Sequence, residues 1–122
     1  MNELIKIALL SYDTNPGGWN FPWCAAFINF VLDEAGIKNE SSLMARSFLN
    51  IGEKVDVPEL GDIVVLWRKE KESQWGHSGF FIREDADSIW LLGGNQDGTV
   101  KIKKYPKWRL LDIRRLNDEK CA

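Results

Sequence analysis

The chain has 122 residues, is 44% hydrophobic, and carries 16 basic and 18 acidic residues for a formal net charge of −2. That length and apolar content suffice for one domain, residues 1–122, whose core needs neither disulfide nor metal to fold. Lysine and arginine are spread among the acids, which excludes a general attraction to nucleic acid or to an anionic membrane surface.

No run approaches the roughly 20 apolar residues of a membrane span, so no membrane insertion is expected. The first residues make a poor secretory signal: Glu3 precedes the apolar run, Lys6 interrupts it, and no small-residue cleavage site follows. The expectation is a chain made in the cytoplasm that relies on another system for any action outside it. Two cysteines, Cys24 and Cys121, and one histidine, His77, are too few for the usual zinc ligand sets, so no metal and no cofactor is expected.

Leu4, Ile5, Ala8, Leu9 and Tyr12 recur at helical spacing behind Asn2, a suitable N-cap. A loop at Asn15, Pro16, Gly17 and Gly18 leads through Trp19, Asn20 and Phe21 to a second helix, about residues 23 to 35. Pro22 suits its start, Gly36 its stop, and Phe27, Ile28, Val31 and Leu32 form its apolar face. Ser41 or Ser42 is placed to cap a third helix carrying Leu43, Met44, Phe48 and Leu49 up to Gly52.

Beyond Pro58 the pattern turns to strands. Ile63 to Trp67 reads as a buried strand, residues 68 to 76 as a charged loop, and His77 to Arg83 with Ser88 to Gly93 as a hairpin. Val100, Ile102 and Tyr105 mark a fourth strand and Leu110 to Leu116 a fifth. Helices first and an antiparallel meander after predict an α+β domain, helices packed on one face of a sheet of about five strands.

Chemistry centres on Cys24. A cysteine in the first turn of a helix faces unpaired N–H groups and the positive end of the helix dipole, which favour a thiolate. His77 is the chain's only histidine and so the only imidazole base. If the hairpin pairs evenly about Ala86, Asn95 lies opposite His77, where its amide oxygen would orient the ring; a one-residue bulge would put Gly94 or Gln96 there instead. The backbone N–H of Cys24 is an oxyanion donor, with the Asn20 side chain a candidate second. Trp19, Trp23 and Trp75 flank these pieces as candidate walls of a substrate groove, although Trp23 and Trp67 suit a core as well. A Cys24–Cys121 disulfide would block this chemistry, and Cys121 itself falls in a polar tail.

Pro22-Trp23-Cys24-Ala25-Ala26-Phe27, Ala45-Arg46-Ser47-Phe48-Leu49, Gly61-Asp62-Ile63-Val64-Val65-Leu66-Trp67, Gly76-His77-Ser78-Gly79-Phe80-Phe81 and Leu92-Gly93-Gly94-Asn95-Gln96 occur in that order. Together they resemble the NlpC/P60 and CHAP superfamily of papain-like cysteine hydrolases, in particular its small branch with a Pro-Trp-Cys-Ala-Ala-Phe motif, over about residues 19 to 115. The resemblance implies a papain-like core and cleavage of amide bonds in peptidoglycan, either within the stem peptide or between muramic acid and L-alanine. By position it makes Cys24 the nucleophile, His77 the base and Asn95 the orienting residue of a Cys-His-Asn triad working through a thioester.

The expected protein is thus a monomeric peptidoglycan amidase or endopeptidase acting on the cell wall as a phage lysin or antibacterial effector. An effector would bring an immunity or inhibitor protein as partner. The alternatives are a thiol-dependent protein deamidase or isopeptidase, and a noncatalytic wall-binding module.

Overall fold

The computed structural model of the protein describes residues 2–39, 42–71 and 76–116. Cys121 and Trp75 lie outside them. Two helices come first, α1 (Glu3–Leu9) and α2 (Cys24–Glu34), followed by a 3₁₀ helix at Ala45–Asn50. The strands are β1 (Glu53–Lys54), β2 (Ile63–Trp67), β3 (Gly76–Glu84), β4 (Ser88–Gln96), β5 (Thr99–Pro106) and β6 (Leu110–Arg115). They form one antiparallel sheet in the order β1-β6-β2-β3-β4-β5, with α1 and α2 packed against it in a mixed α+β architecture.

Local chemistry accounts for the helices. The Asn2 side-chain oxygen accepts from the Leu4 and Ile5 N–H groups at 2.9 and 3.3 Å and so caps α1. Gly36, at φ 73°, ends α2 and lets the Ile37 N–H return to the Leu32 carbonyl at 2.9 Å. Phe27, Ile28, Val31 and Leu32 are each 0% exposed, and each contributes about 1.5–3 kcal/mol by leaving water. The third helix departs from expectation. Only Ala45 and Phe48 are buried in it, one contact per turn, too little apolar face to hold α-helix, and the chain tightens into 3₁₀ geometry instead. The Ser42 hydroxyl accepts from the Met44 N–H at 3.1 Å; Ser41 lies outside the described residues.

The sheet departs from a simple meander in one respect. β2 to β5 run in sequence, but β6 returns to pair with β2, and the two-residue β1 pairs outside it. In a flat sheet β5 and β6 would stand four interstrand steps apart, roughly 19 Å at about 4.8 Å per step. Three residues of 3₁₀ helix, Lys107–Arg109, make the connection, and at about 2 Å rise per residue they cannot cover that span. The sheet therefore curls. Trp67 Nε1 donates to the Trp108 carbonyl at 3.2 Å and Arg109 Nε to the Trp67 carbonyl at 3.0 Å, fastening the curl.

Curling divides the interior in two. Ile63, Val65, Phe80, Leu92 and Val100 face the helices, while Val64, Leu66, Phe81, Ile89, Leu91 and Ile113 fill the inside of the curl with Tyr105 and Leu110 against them. Arg115 Nε and Nη2 grip both carboxylate oxygens of Asp62 at 3.0 and 2.8 Å, tying the end of β6 to the start of β2. Residues 12–14 run along β5: the Asp13 N–H reaches the Val100 carbonyl at 2.8 Å and the Val100 N–H reaches the Thr14 carbonyl at 2.9 Å.

Candidate functional site: a buried thiol beside a locked imidazole

Cys24 is the first residue of α2, a free cysteine only 8% exposed. It lines a cleft of about 80 Å³ together with Gly76 and His77 at the start of β3, Asn95 and Arg68, walled by Pro22, Leu43, Met44 and Ala45. Burial pushes the thiol pKa up. The neighbouring His77 imidazole, then the N–H and hydroxyl of Ser78, push it down more strongly, so the thiol ionises below its ordinary value of 9.0. Ser78 Oγ is wholly buried and makes no hydrogen bond among the described residues. A donor so placed gains a charged acceptor when the thiol ionises.

His77 is itself 8% exposed. Its Nε2 lies 2.8 Å from Gln96 Oε1 and 3.0 Å from the Tyr105 hydroxyl. The orientation of Gln96 is fixed because its amide nitrogen donates to the Leu91 and Lys101 carbonyls at 3.1 and 2.6 Å, leaving the oxygen to face the ring. An amide oxygen only accepts, so the ring holds a proton on Nε2 toward it. The Tyr105 hydroxyl donates to the same Gln96 oxygen at 3.0 Å. Burial, above all, raises the Tyr105 pKa well beyond its ordinary 10.0.

These contacts correct the triad. His77 Nε2, the nitrogen these contacts hold, bonds to Gln96 and Tyr105 and not to Asn95. Asn95 is not its orienting partner. The even pairing expected for the hairpin holds at Phe80 with Leu92 and at Phe81 with Leu91, but it is off by one at Arg83 with Trp90 and Glu84 with Ile89, and a bulge between Gly93 and Gln96 breaks the ladder to β5. Asn95 takes the left-handed conformation there, φ 56°, and its side chain turns out to solvent while Gln96, 1% exposed, turns in. No Cys-His-Asn triad is formed, and Cys24 is a buried thiol beside His77 and Ser78. The papain-like cysteine hydrolase, whether peptidoglycan endopeptidase, muramoyl-L-alanine amidase or protein deamidase, therefore loses the arrangement from which it was inferred, and the antibacterial role in cell-wall degradation falls with it.

Two glycines make the bulge compatible with both faces of the sheet. A Cβ on Gly93 would stand 2.8 Å from Gln96 Oε1, and one on Gly94 would stand 2.6 Å from Phe27 Cβ and 2.7 Å from the Trp23 ring. Gly93 makes room for the glutamine inside the curl, and Gly94 makes room for α2 on the other side.

The remaining candidates are dispersed. Trp23 is 3% exposed and belongs to the helix-side core, and the half-buried Trp19 packs on it and on Phe30 at ring separations of 5.3 and 6.3 Å. Asn20 is exposed, and Trp75 falls outside the described residues. Sequence reasoning named Gln96 only as an alternative that a bulge would bring, and missed Tyr105 and Ser78 as members of the site. The signal for Gln96 was the Gly93-Gly94-Asn95 run, which favours a bulge and hence a register shift of one.

Among the described residues no three His, Cys, Asp or Glu side chains stand close enough to hold a metal ion, and no helix is long and apolar enough to cross a membrane. Comparison of the chain with protein-family models gives no match, and comparison with curated proteins gives none.

Proposed function

We propose that the cleft is a reactive-thiol site in which Cys24 captures a small electrophile covalently. The sulfur lone pair forms the S–C bond, and the displaced group leaves with the bonding pair. His77 is a positioning group here: its ring, locked by Gln96 and Tyr105, stands beside the sulfur and favours the thiolate. The adduct is the product, and no hydrolysis of it is invoked. The observation that carries this reading is the placement of Cys24 and the locked imidazole on one small cleft.

Alkylation of Cys24 by iodoacetamide, followed against pH by peptide mass analysis, tests it. The expected midpoint lies below the ordinary thiol value of 9.0 and moves up in His77→Ala. A midpoint at or above that value, or a Cys24 that takes no label in the folded protein, overturns the proposal.

We further infer that the α+β fold is of the papain-like NlpC/P60 kind. Its supports are the five motifs in family order and a cysteine-bearing helix that precedes an antiparallel sheet. Superposition of a crystal structure of this chain on members of that superfamily checks it. Failure of α2 and β2 to β4 to superpose together rejects the assignment.

A further inference from the structure

The Cys24 cleft changes character along its length. Cys24 and Ala45 are buried, 8% and 6% exposed, whereas Leu43 and Met44 on the same cleft are 56% and 43% exposed, and Pro22 is exposed as well. Single apolar side chains on a surface are ordinary. Two large ones in succession, on a segment held at both ends, are not. Asn29 of α2, itself buried, donates its amide nitrogen to the Ser42 carbonyl at 2.7 Å, and the Ser42 hydroxyl accepts from the Met44 N–H at 3.1 Å. Past Met44 the chain enters the 3₁₀ helix, whose Ser47 N–H returns to the Met44 carbonyl at 3.0 Å. The backbone that carries Leu43 and Met44 is therefore ordered before any ligand arrives, and a ligand laid against them costs no ordering of it.

A molecule joined to the Cys24 sulfur has one end fixed at the buried part of the cleft, so the remainder is directed along the lining toward Leu43 and Met44. The cleft, about 80 Å³, admits a short substituent and not a polymer. An apolar substituent releases water from its own surface and from that wall, whereas a polar one of the same size gives up its hydration against side chains that offer no hydrogen bond. We infer that Leu43 and Met44 make the cleft selective for a small electrophile that carries a short apolar chain. The inference rests on Cys24 being a reactive thiol, as proposed above. Because the chain is held alike before and during bond formation, its effect falls on the second-order rate of capture.

Iodoacetamide and N-butyl iodoacetamide separate the two questions. Both present the same carbon to the sulfur, the S–C bond forms and iodide leaves with the C–I pair, and only the second carries an apolar chain. Second-order rates are measured for Cys24 in the full chain carrying Cys121→Ser, and the same ratio is taken in urea as reference. The folded protein is expected to show an N-butyl-to-parent ratio about tenfold above the unfolded chain, the size expected for a butyl chain with about half of its surface covered. Leu43→Gln and Met44→Gln together bring that ratio down severalfold, and Val57→Gln, at an apolar residue 75% exposed and outside the cleft, leaves it where it was. A folded ratio at or below the unfolded one, or one that the double substitution does not move, overturns the selectivity, while labelling by iodoacetamide leaves the reactive thiol standing. Reaction of neither reagent overturns both.

Discussion

Gln96 Oε1 and His77 Nε2 are 2.8 Å apart, and the glutamine has no freedom to turn away because both of its amide protons are taken by backbone carbonyls. One side chain therefore holds a proton on Nε2 of the imidazole beside Cys24. Replacing it by leucine takes the amide donor from the Leu91 and Lys101 carbonyls and leaves the ring N–H with the Tyr105 hydroxyl alone, at about 1–3 kcal/mol for each buried group left unsatisfied. Gln96→Leu is expected to lower the urea midpoint and raise the pH midpoint of Cys24 alkylation. Asn95→Ala is expected to move the alkylation midpoint little and to cost at most about 1 kcal/mol, since alanine lacks the local side-chain hydrogen bonding that eases asparagine into the left-handed region. Equal shifts in alkylation from the two substitutions would show that Gln96 does not hold the ring.

Gly93→Ala and Gly94→Ala are expected to fail in different ways. Each overpacks its site, at about 1–3 kcal/mol. The first pushes on Gln96 and disturbs the thiol; the second pushes α2 off β4 through Trp23 and Phe27. Thermal unfolding with tryptophan fluorescence checks this: Gly94→Ala should change the emission of the native state, and Gly93→Ala should change chiefly the alkylation midpoint.

Tyr105 predicts behaviour at alkaline pH. Its folded pKa is raised above the unfolded 10.0 by burial, so the folded state keeps a proton that the unfolded state has released. The sign follows: this contribution is fully present below the unfolded value and is lost as pH rises through and beyond it. Tyr105→Phe is expected to flatten the alkaline fall in stability while costing about 0.5–1.5 kcal/mol near neutrality for the lost hydroxyl contact. Urea unfolding of both chains across that range measures it, and parallel stability curves would refute it.

Asp62 is expected to matter for stability alone. It accepts from Arg115 through both oxygens and from the Glu59 N–H at 2.8 Å. Asp62→Asn keeps the shape but loses the charge and one acceptor, at about 1–3 kcal/mol, with Arg115 partly exposed and so partly compensated by water. Denaturant titration should show that loss with the Cys24 alkylation midpoint unmoved.

The parts of this fold that were legible beforehand are those written in short-range periodicity. The α2 face of Phe27, Ile28, Val31 and Leu32, the apolar β2 run and the β3–β4 hairpin all follow from spacing and turn residues. The place of β6 beside β2 was not legible, because the curl depends on contacts between Trp67, Trp108 and Arg109 that are 41 and 42 positions apart. At the site, Cys24 and His77 were found by residue type, but their relation was misjudged. The hairpin register was right at Phe80 and Phe81 and off by one at Arg83 and Glu84, and past Gly93 a left-handed residue at Asn95 exchanges the inward and outward side chains of β4. Tyr105 reaches His77 only because the sheet curls, so no local pattern announces it.

The contact between residues 12–14 and Val100 bears on how this molecule behaves in a crowded solution. β5 is an outer strand, and an outer strand with free N–H and C=O groups is a template on which a second chain can grow a sheet. Thr14 and Asp13 occupy those groups at Val100, and Lys101, Lys103 and Lys104 place charge along the remainder. The loop that brings the chain to Cys24 is thereby also a guard against aggregation, and shortening it to widen the cleft would expose a surface ready to polymerise.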